Sequence, residues 1–281
     1  MAASYADSSV NTARDYYNSK DADNFYYFVW GGEDIHVGLY ESEQEPIADA
    51  SRRTVTHMAA RLSGLNEQSQ LLDIGAGFGG SMRYLAREYA CHGVALNLSE
   101  AENTRNREMN AEQGLGDQID VVDGSFEDIE YPDASFDVVW CQDAILHSGR
   151  RERVLEEVAR VLKPGGEFVM TDPMQADDCP TDVLQPILDR IHLETLGSPS
   201  FYRRTMTALG LEDLGYEDHS PQLVMHYARV GRELEAQEKK LVRSQIVSVE
   251  YIERMKKGLN HWVDGGRKGY LAWGIFHFRK Q

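Results

Sequence analysis

Cysteine is scarce in this chain. Its three residues, Cys91, Cys141 and Cys179, stand far apart and form no C-x-x-C pair. That excludes a disulfide framework and a thiolate metal site; reduced, structural thiols of a cytoplasmic protein are the reading, with no metal expected. No apolar run is long enough to cross a bilayer, and the start, Met1-Ala-Ala-Ser-Tyr-Ala-Asp7, lacks the basic and apolar regions of a signal peptide. Lysine is scarce as well, supplying 8 of the 29 basic residues against 21 arginines. Acidic residues number 46, so the net charge is −17. Such a surface repels phosphate backbones, which argues against nucleic acid and anionic membrane as partners. Two readings of the acidity stand together: a soluble acidic protein, or adaptation to a salt-rich cytoplasm in which screening is short-ranged.

The 281 residues, 42% of them hydrophobic, are enough for one large domain. No internal repeat, low-complexity tract or long linker divides them. Residues 1–65 are rich in aromatic and acidic side chains and show no strand pattern, but a helix is expected from Pro46 to Leu62. From Gln70 the pattern changes to short apolar runs alternating with amphipathic segments. Strands are predicted at 71–74, 92–97, 119–122, 136–141 and 167–172, with helices at 81–89, 100–113 and 150–162 between them. Lys163-Pro-Gly-Gly166 ends the last of these. This alternation implies a parallel sheet covered by helices on both faces, an α/β Rossmann-like fold. Helices at 180–195 and 221–254 and a return near 262–278 complete one domain, 1–281. It divides into an N-terminal cap (1–65), a cofactor-binding core (66–175) and a helical insertion with C-terminal return (176–281). A monomer is the expectation.

Asp73-Ile-Gly75-Ala-Gly77-Phe-Gly79-Gly80 follows a strand and opens a helix. Glycines let the backbone turn sharply and approach a ligand, and a helix N-terminus offers free N–H groups. The third glycine comes one residue too early for the dinucleotide fingerprint G-x-G-x-x-G, which counts against a Rossmann oxidoreductase. The carboxylate of Asp73 would repel a pyrophosphate, yet suits a cofactor carrying an ammonium group and a sulfonium.

Strand, D-x-G-x-G-x-G-G and helix together resemble the first motif of class I S-adenosylmethionine methyltransferases. The resemblance continues through Asp123-Gly-Ser125-Phe126, Phe136-Asp-Val-Val139 and Leu162-Lys-Pro-Gly-Gly166. It implies S-adenosylmethionine held by Asp73, Gly75, Gly77, Gly79, Asn97, Leu98, Ser125, Phe126, Gln142 and His147. Asn97 stands where the fold usually ends its second strand with a ribose-binding acid. Gln142-Asp143-Ala-Ile-Leu-His147 resembles the corresponding segment of phosphoethanolamine and glycine-type N-methyltransferases. That likeness implies an active-site His147 closed over by a tyrosine from Tyr16-Tyr17 or Phe25-Tyr26-Tyr27. His147, Asp143 and Tyr26 form the expected catalytic set.

Residues 21–40 are dense in aromatics, five of the six from Phe25 to Trp30. They read as a lid whose rings face an alkylated amine, with Trp262, Tyr270 and Trp273 as further walls. Together with the tail His261-Trp-Val-Asp-Gly-Gly-Arg-Lys-Gly-Tyr-Leu-Ala-Trp-Gly-Ile-Phe276, this arrangement resembles bacterial sarcosine/dimethylglycine N-methyltransferases, which make the osmolyte glycine betaine in halophiles. The resemblance implies Tyr17, Tyr26, Trp30, Arg203 and Trp273 around sarcosine or dimethylglycine, with Arg52, Arg53 and Arg204 as further candidates for its carboxylate. His147, oriented by Asp143 or a tyrosine hydroxyl, or else a water path, would take the amine's proton. Phosphoethanolamine and glycine are the alternative acceptors, the former disfavoured because no extended basic cluster is seen. A non-catalytic cofactor-binding protein is the alternative of another class.

Overall fold

The structure, a computed structural model, describes residues 2–281, with side chains from Val10 onward. Two helices that the polar-aromatic start does not announce open the chain, α1 (Ala2–Tyr17) and α2 (Lys20–Phe25). Ser19 caps α2, accepting the Ala22 N–H at 3.2 Å. A π-helical turn, Tyr26–Trp30, follows and buries Tyr26, Val29 and Trp30. The aromatic stretch 21–40, a strap across the domain, is therefore helical up to Trp30, and its rings enter the core except that of Phe28, which is exposed. α3 (Ile47–Ala59) buries Ile47, Val55 and Met58 on one face, close to the expected span.

The core then reads β1 (Gln70–Ile74), α4 (Gly80–Tyr89), β2 (His92–Asn97), α5 (Glu100–Glu112), β3 (Ile119–Asp123), β4 (Phe136–Gln142), α6 (Arg151–Val161) and β5 (Leu162–Thr171). Lys163-Pro-Gly-Gly166 lies inside β5 rather than before it, at the strand's exposed start. Beyond come β6 (Met174–Gln175), α7 (Gln185–Ile191), α8 (Pro199–Ala208), β7 (Leu211–Asp218), α9 (Ser220–Arg243), α10 (Val249–Arg267), β8 (Leu271–Ala272) and β9 (Gly274–Lys280).

The C-terminal third departs from the expected pattern in three places. The helix at 180–195 shrinks to α7, α8 and β7 are new, and the helix at 221–254 breaks at 244–248 into α9 and α10. Strand β7 was hidden because Leu211-Glu-Asp-Leu-Gly-Tyr-Glu-Asp218 is mostly polar. It forms the half-buried edge of the sheet, where acidic side chains discourage further pairing.

Seven strands form the sheet in the order β3-β2-β1-β4-β5-β9-β7. β1 to β5 are parallel, and β9 runs antiparallel between β5 and β7. Strand order reverses at β1, which pairs with β2 on one side and β4 on the other. The carboxyl ends of these strands therefore frame the crevice in which such sheets bind ligands. Side chains alternate between two cores. Leu71, Val138, Trp140 and Val169 face one with Phe25, Trp30, Leu234 and Trp262. Leu72, Val139, Cys141 and Met170 face the other with Val154, Tyr202 and Phe276. The first cluster joins the N-terminal segment, the sheet and the last helices, so the cap is held by buried apolar area. Among the described residues no helix is long and apolar enough to cross a membrane.

Candidate active site

The loop after β1 closes on two other segments. Gly75 has φ +80°, and a Cβ there would strike the Cβ of Ala144, so only glycine lets the loop pass under Ala144 in the segment after β4. Gly80 does the same for the strap, because a Cβ would collide with Asp34. Asp34 consequently comes up beside Asp73, and both are buried. Burial, reinforced by the charge of Asp34, pushes the Asp73 carboxyl up to about 8. Asp34 Oδ1 and His36 Nε2 are buried without hydrogen-bond partners, as is Gln142 Nε2. All three residues line a small cleft with Asp73 and Gly75. Asp34 Oδ1, an unpaired buried acceptor beside the raised Asp73 carboxyl, offers a place for a cationic group, and Gln142 Nε2 is an unpaired donor at its rim.

A cavity of about 100 Å³ continues from there past Gly77, Asn97, Leu98, Ser125, Phe126 and Gln142. Asn97 is not alone in the place of the missing strand-end acid. Its Nδ2 donates at 2.9 Å to Oε2 of Glu102, one turn into α5, while Glu102 Oε1 is buried and unpaired. Burial holds the Glu102 carboxyl up at about 7 against the pull of Asn97. A carboxylate from the next helix thus stands beside Asn97 at the end of β2, and Ser99, accepting the Glu102 N–H, caps that helix.

A second cavity, of about 700 Å³, shares Tyr17, Ile35, Asp143 and His147 with the first. His147 ends the 3₁₀ turn Ile145–His147 after β4. Its Nε2 lies 2.8 Å from the Tyr17 hydroxyl. Burial, with the Arg190 charge behind it, pushes the imidazole down to about 4, while burial raises the Tyr17 hydroxyl well above its ordinary value. Both shifts favour the uncharged groups, so the contact is a neutral hydrogen bond whose direction follows the imidazole tautomer. Around this pair stand Tyr26, with its ring 5.5 Å from Tyr17, and Trp30, 5.1 Å from Tyr26. Tyr227 packs edge-on against Trp30 at 5.7 Å and stacks on Trp262 at 5.1 Å, which continues the aromatic lining.

Three cations also line this cavity: Arg190 from α7, and Arg254 and Lys257 from α10. Arg190 lies against Gly258, where a Cβ would come within 2.5 Å of the guanidinium, and among the described residues it has no acidic partner within 4 Å. The basic cluster that the sequence does not display is assembled from two separate helices.

Several expected residues are placed elsewhere. Asp143 does not orient His147. Its carboxylate is filled by the Val37 N–H at 2.6 Å, the Thr171 hydroxyl at 2.8 Å and the Trp273 indole N–H at 2.8 Å, so it ties the strap to β5 and the tail. Trp273 is fully buried behind Asp143 and does not face the cavity, and Tyr270 lies outside it too. Tyr26 lines the cavity, but Tyr17 makes the hydrogen bond to His147. Arg203 pairs with Asp213, half exposed on α8. Arg52 pairs with Glu33 and Asp34, Arg53 with Glu45, and Arg204 is exposed. Gly79 begins α4 against Asn106 rather than lining a cavity. One group has the spacing of metal ligands, His57, Glu217 and His219. The Arg61 guanidinium occupies it, 2.6 Å from His57 Nε2 and 2.7 Å from Glu217 Oε2, and holds the Glu217 carboxyl down at about 2.

A methyltransferase-domain family model matches residues 72–170. The sarcosine/dimethylglycine N-methyltransferase of Halorhodospira halochloris is 62% identical to the chain over 280 residues, 100% of each. The chain belongs to the sarcosine/dimethylglycine N-methyltransferase family. The glycine/sarcosine/dimethylglycine N-methyltransferase of Actinopolyspora halophila is 56% identical over 96% of this chain and 47% of its own length. A crystal structure of a Galdieria sulphuraria protein, described as a candidate sarcosine dimethylglycine methyltransferase, superposes with a TM-score of 0.89 at 44% identity, covering 95% of this chain and 99% of that one. Membership makes the chain an enzyme with the class I methyltransferase sheet. It sets aside both the oxidoreductase and the non-catalytic reading.

Proposed function

We propose that the chain transfers methyl groups from S-adenosylmethionine to the nitrogen of sarcosine and then of dimethylglycine, giving glycine betaine. The observation that carries this reading is the junction of the two cavities at Tyr17 and His147, with Arg190 across the larger one. The residues of the small cleft and of the smaller cavity suit the cofactor: Asp73 and Asp34 of the cleft its ammonium, Glu102 and Asn97 of the cavity the ribose hydroxyls, Ser125 and Phe126 the adenine. S-adenosylmethionine supplies a methyl group on an electrophilic sulfonium.

The chain's own part is to bind, dry and orient the amine, since an in-line displacement gains most from positioning. Arg190 takes the substrate carboxylate, a charge-assisted pair in a half-buried place. The rings of Tyr26, Trp30, Tyr227 and Trp262 surround the nitrogen and stabilise the positive charge that becomes permanent in the second transfer. Neutral His147 holds Tyr17 so that the phenol oxygen faces the amine. Arg190 depresses His147, so a carboxylate paired with Arg190 cancels part of that effect, and the imidazole grows more basic as the amine arrives. Tyr17 and His147 then form a path for the proton that the ammonium form must lose.

The acidic surface suits a cytoplasm of high salt, where self-repulsion is screened. Arg190, Arg254 and Lys257 together exceed what one carboxylate needs, and that favours a phosphomonoester amine as the second reading. A labelled-methyl assay across glycine, sarcosine, dimethylglycine and phosphoethanolamine, at low and molar salt, separates them. Label in sarcosine and dimethylglycine supports the reading; label in phosphoethanolamine alone overturns it.

A further inference from the structure

Asp172 follows β5 and is fully buried, as is Tyr202 on α8. The Tyr202 hydroxyl donates to Asp172 Oδ2 at 2.6 Å. Asp172 Oδ1 accepts the backbone N–H of Leu146 at 2.9 Å. Leu146 is the residue before His147, in a single 3₁₀ turn of three residues. So short a turn has little stability of its own and takes its position from what grips it. The His147 N–H bonds Ala144 O at 3.1 Å inside the turn, and the ring is held from the other side by Tyr17.

An aspartate at this depth is costly to bury, and burial pushes it up to about 8. A leucine facing a phenylalanine would fill the same space without that penalty. The two polar groups join α8, in the C-terminal third, to the turn that carries the imidazole. Nothing else in the methyl-transfer site uses them.

We propose that Asp172 and Tyr202 are positioning residues for His147: through the Leu146 N–H they fix the height of the turn, so that Nε2 meets the Tyr17 hydroxyl. The proposal rests on the reading of the Tyr17–His147 pair as the proton path from the amine.

Three variants test it, Tyr202→Phe, Asp172→Asn and Asp172→Leu, by turnover, calorimetry with S-adenosylhomocysteine and nitrogen NMR of the His147 ring. Tyr202→Phe lowers kcat on sarcosine about tenfold, the scale of one buried hydrogen bond, and leaves S-adenosylhomocysteine affinity within about twofold of wild type. Asp172→Asn keeps an oxygen for Leu146 and an amide donor for the Tyr202 oxygen, so it retains most of the rate. Asp172→Leu loses more than either, and if it fails to fold, Tyr202→Phe, which removes one hydroxyl, carries the test. In Tyr202→Phe the His147 resonances move toward those of a Tyr17→Phe variant. Wild-type kcat and unmoved His147 resonances in Tyr202→Phe overturn the proposal and make the pair a packing feature. If wild-type protein methylates no amine while the His147 resonances still respond to Tyr202→Phe, the functional reading fails and the brace stands.

Discussion

The Tyr17 hydroxyl and His147 Nε2 lie 2.8 Å apart although 130 residues separate them in the chain. The contact joins α1 to the turn after β4 at the place where the two cavities meet. Docking of the N-terminal helices is itself specific. Arg14 and Asn18 bond Glu100 at the start of α5, while Asp21 and Asn24 bond Ser248 and Ile246 between α9 and α10. The strap spans both halves of the site.

Replacing either partner separates chemistry from cofactor binding. His147→Ala is expected to lower kcat by about two to four orders of magnitude, the range of one acid–base group, with S-adenosylhomocysteine affinity changed far less. Tyr17→Phe keeps the ring against Tyr26 and loses a smaller part of the rate. Stopped-assay kinetics beside calorimetry decide the matter, and an unchanged kcat in His147→Ala removes it from the reaction.

Arg190→Met should raise the KM for sarcosine by about 10- to 100-fold, because a charge-assisted hydrogen bond is worth about 1.5–3 kcal/mol. Arg190→Lys recovers part of the loss, as a point charge replaces a fork. A KM unaltered in Arg190→Met would hand the carboxylate to Arg254 or Lys257 on the same cavity.

Asp73 and Glu102 give the cofactor site a pH signature. Their folded pKa values, about 8 and about 7, are raised above those of an exposed acid. Between the ordinary value and the raised one, the folded chain holds protons that the unfolded chain has released. These groups therefore make stability fall as pH rises from about 4 toward 8. A ligand with an ammonium group and ribose hydroxyls prefers the ionised carboxylates, so binding lowers both pKa values and expels protons. Calorimetry with S-adenosylhomocysteine at pH 7 in two buffers of different ionisation heat should show proton release that fades toward pH 9. Identical heats in the two buffers would mean that neither acid meets the ligand.

The sheet was legible because its signals are local: apolar runs, an intervening helix, glycines at a turn. The loop at Gly75–Gly80 and the imidazole at 147 needed no distant residue to be seen. Glu102 escaped because a ribose acid was sought at a strand end, yet one turn of α5 brings a helix residue to the same spot. Arg190 escaped because nothing in Leu188-Asp-Arg190-Ile distinguishes it from a surface arginine; its role depends on Gly258, 68 residues later, leaving room for the guanidinium. Trp273 misled for the converse reason. An aromatic in a conspicuous tail reads as a cage wall, whereas its indole N–H is spent on Asp143 behind the cavity.

The cage makes a last prediction that separates the two methyl transfers. Sarcosine becomes a tertiary amine that can shed its proton, but dimethylglycine becomes a permanent cation with no N–H to hydrogen-bond. Ring faces are the means left to the chain for stabilising that charge, at about 0.5–2 kcal/mol for a desolvated cation. Trp30 and Trp262 supply the largest rings of the lining, both packed on Tyr227. Trp30→Leu and Trp262→Leu should thus slow methylation of dimethylglycine more than that of sarcosine, by about three- to thirty-fold in the ratio of kcat/KM. Leucine keeps the walls apolar, so simple loss of packing would affect both substrates alike. Equal slowing of the two transfers would reduce the rings to shape, and the charge would have to be met elsewhere in the cavity.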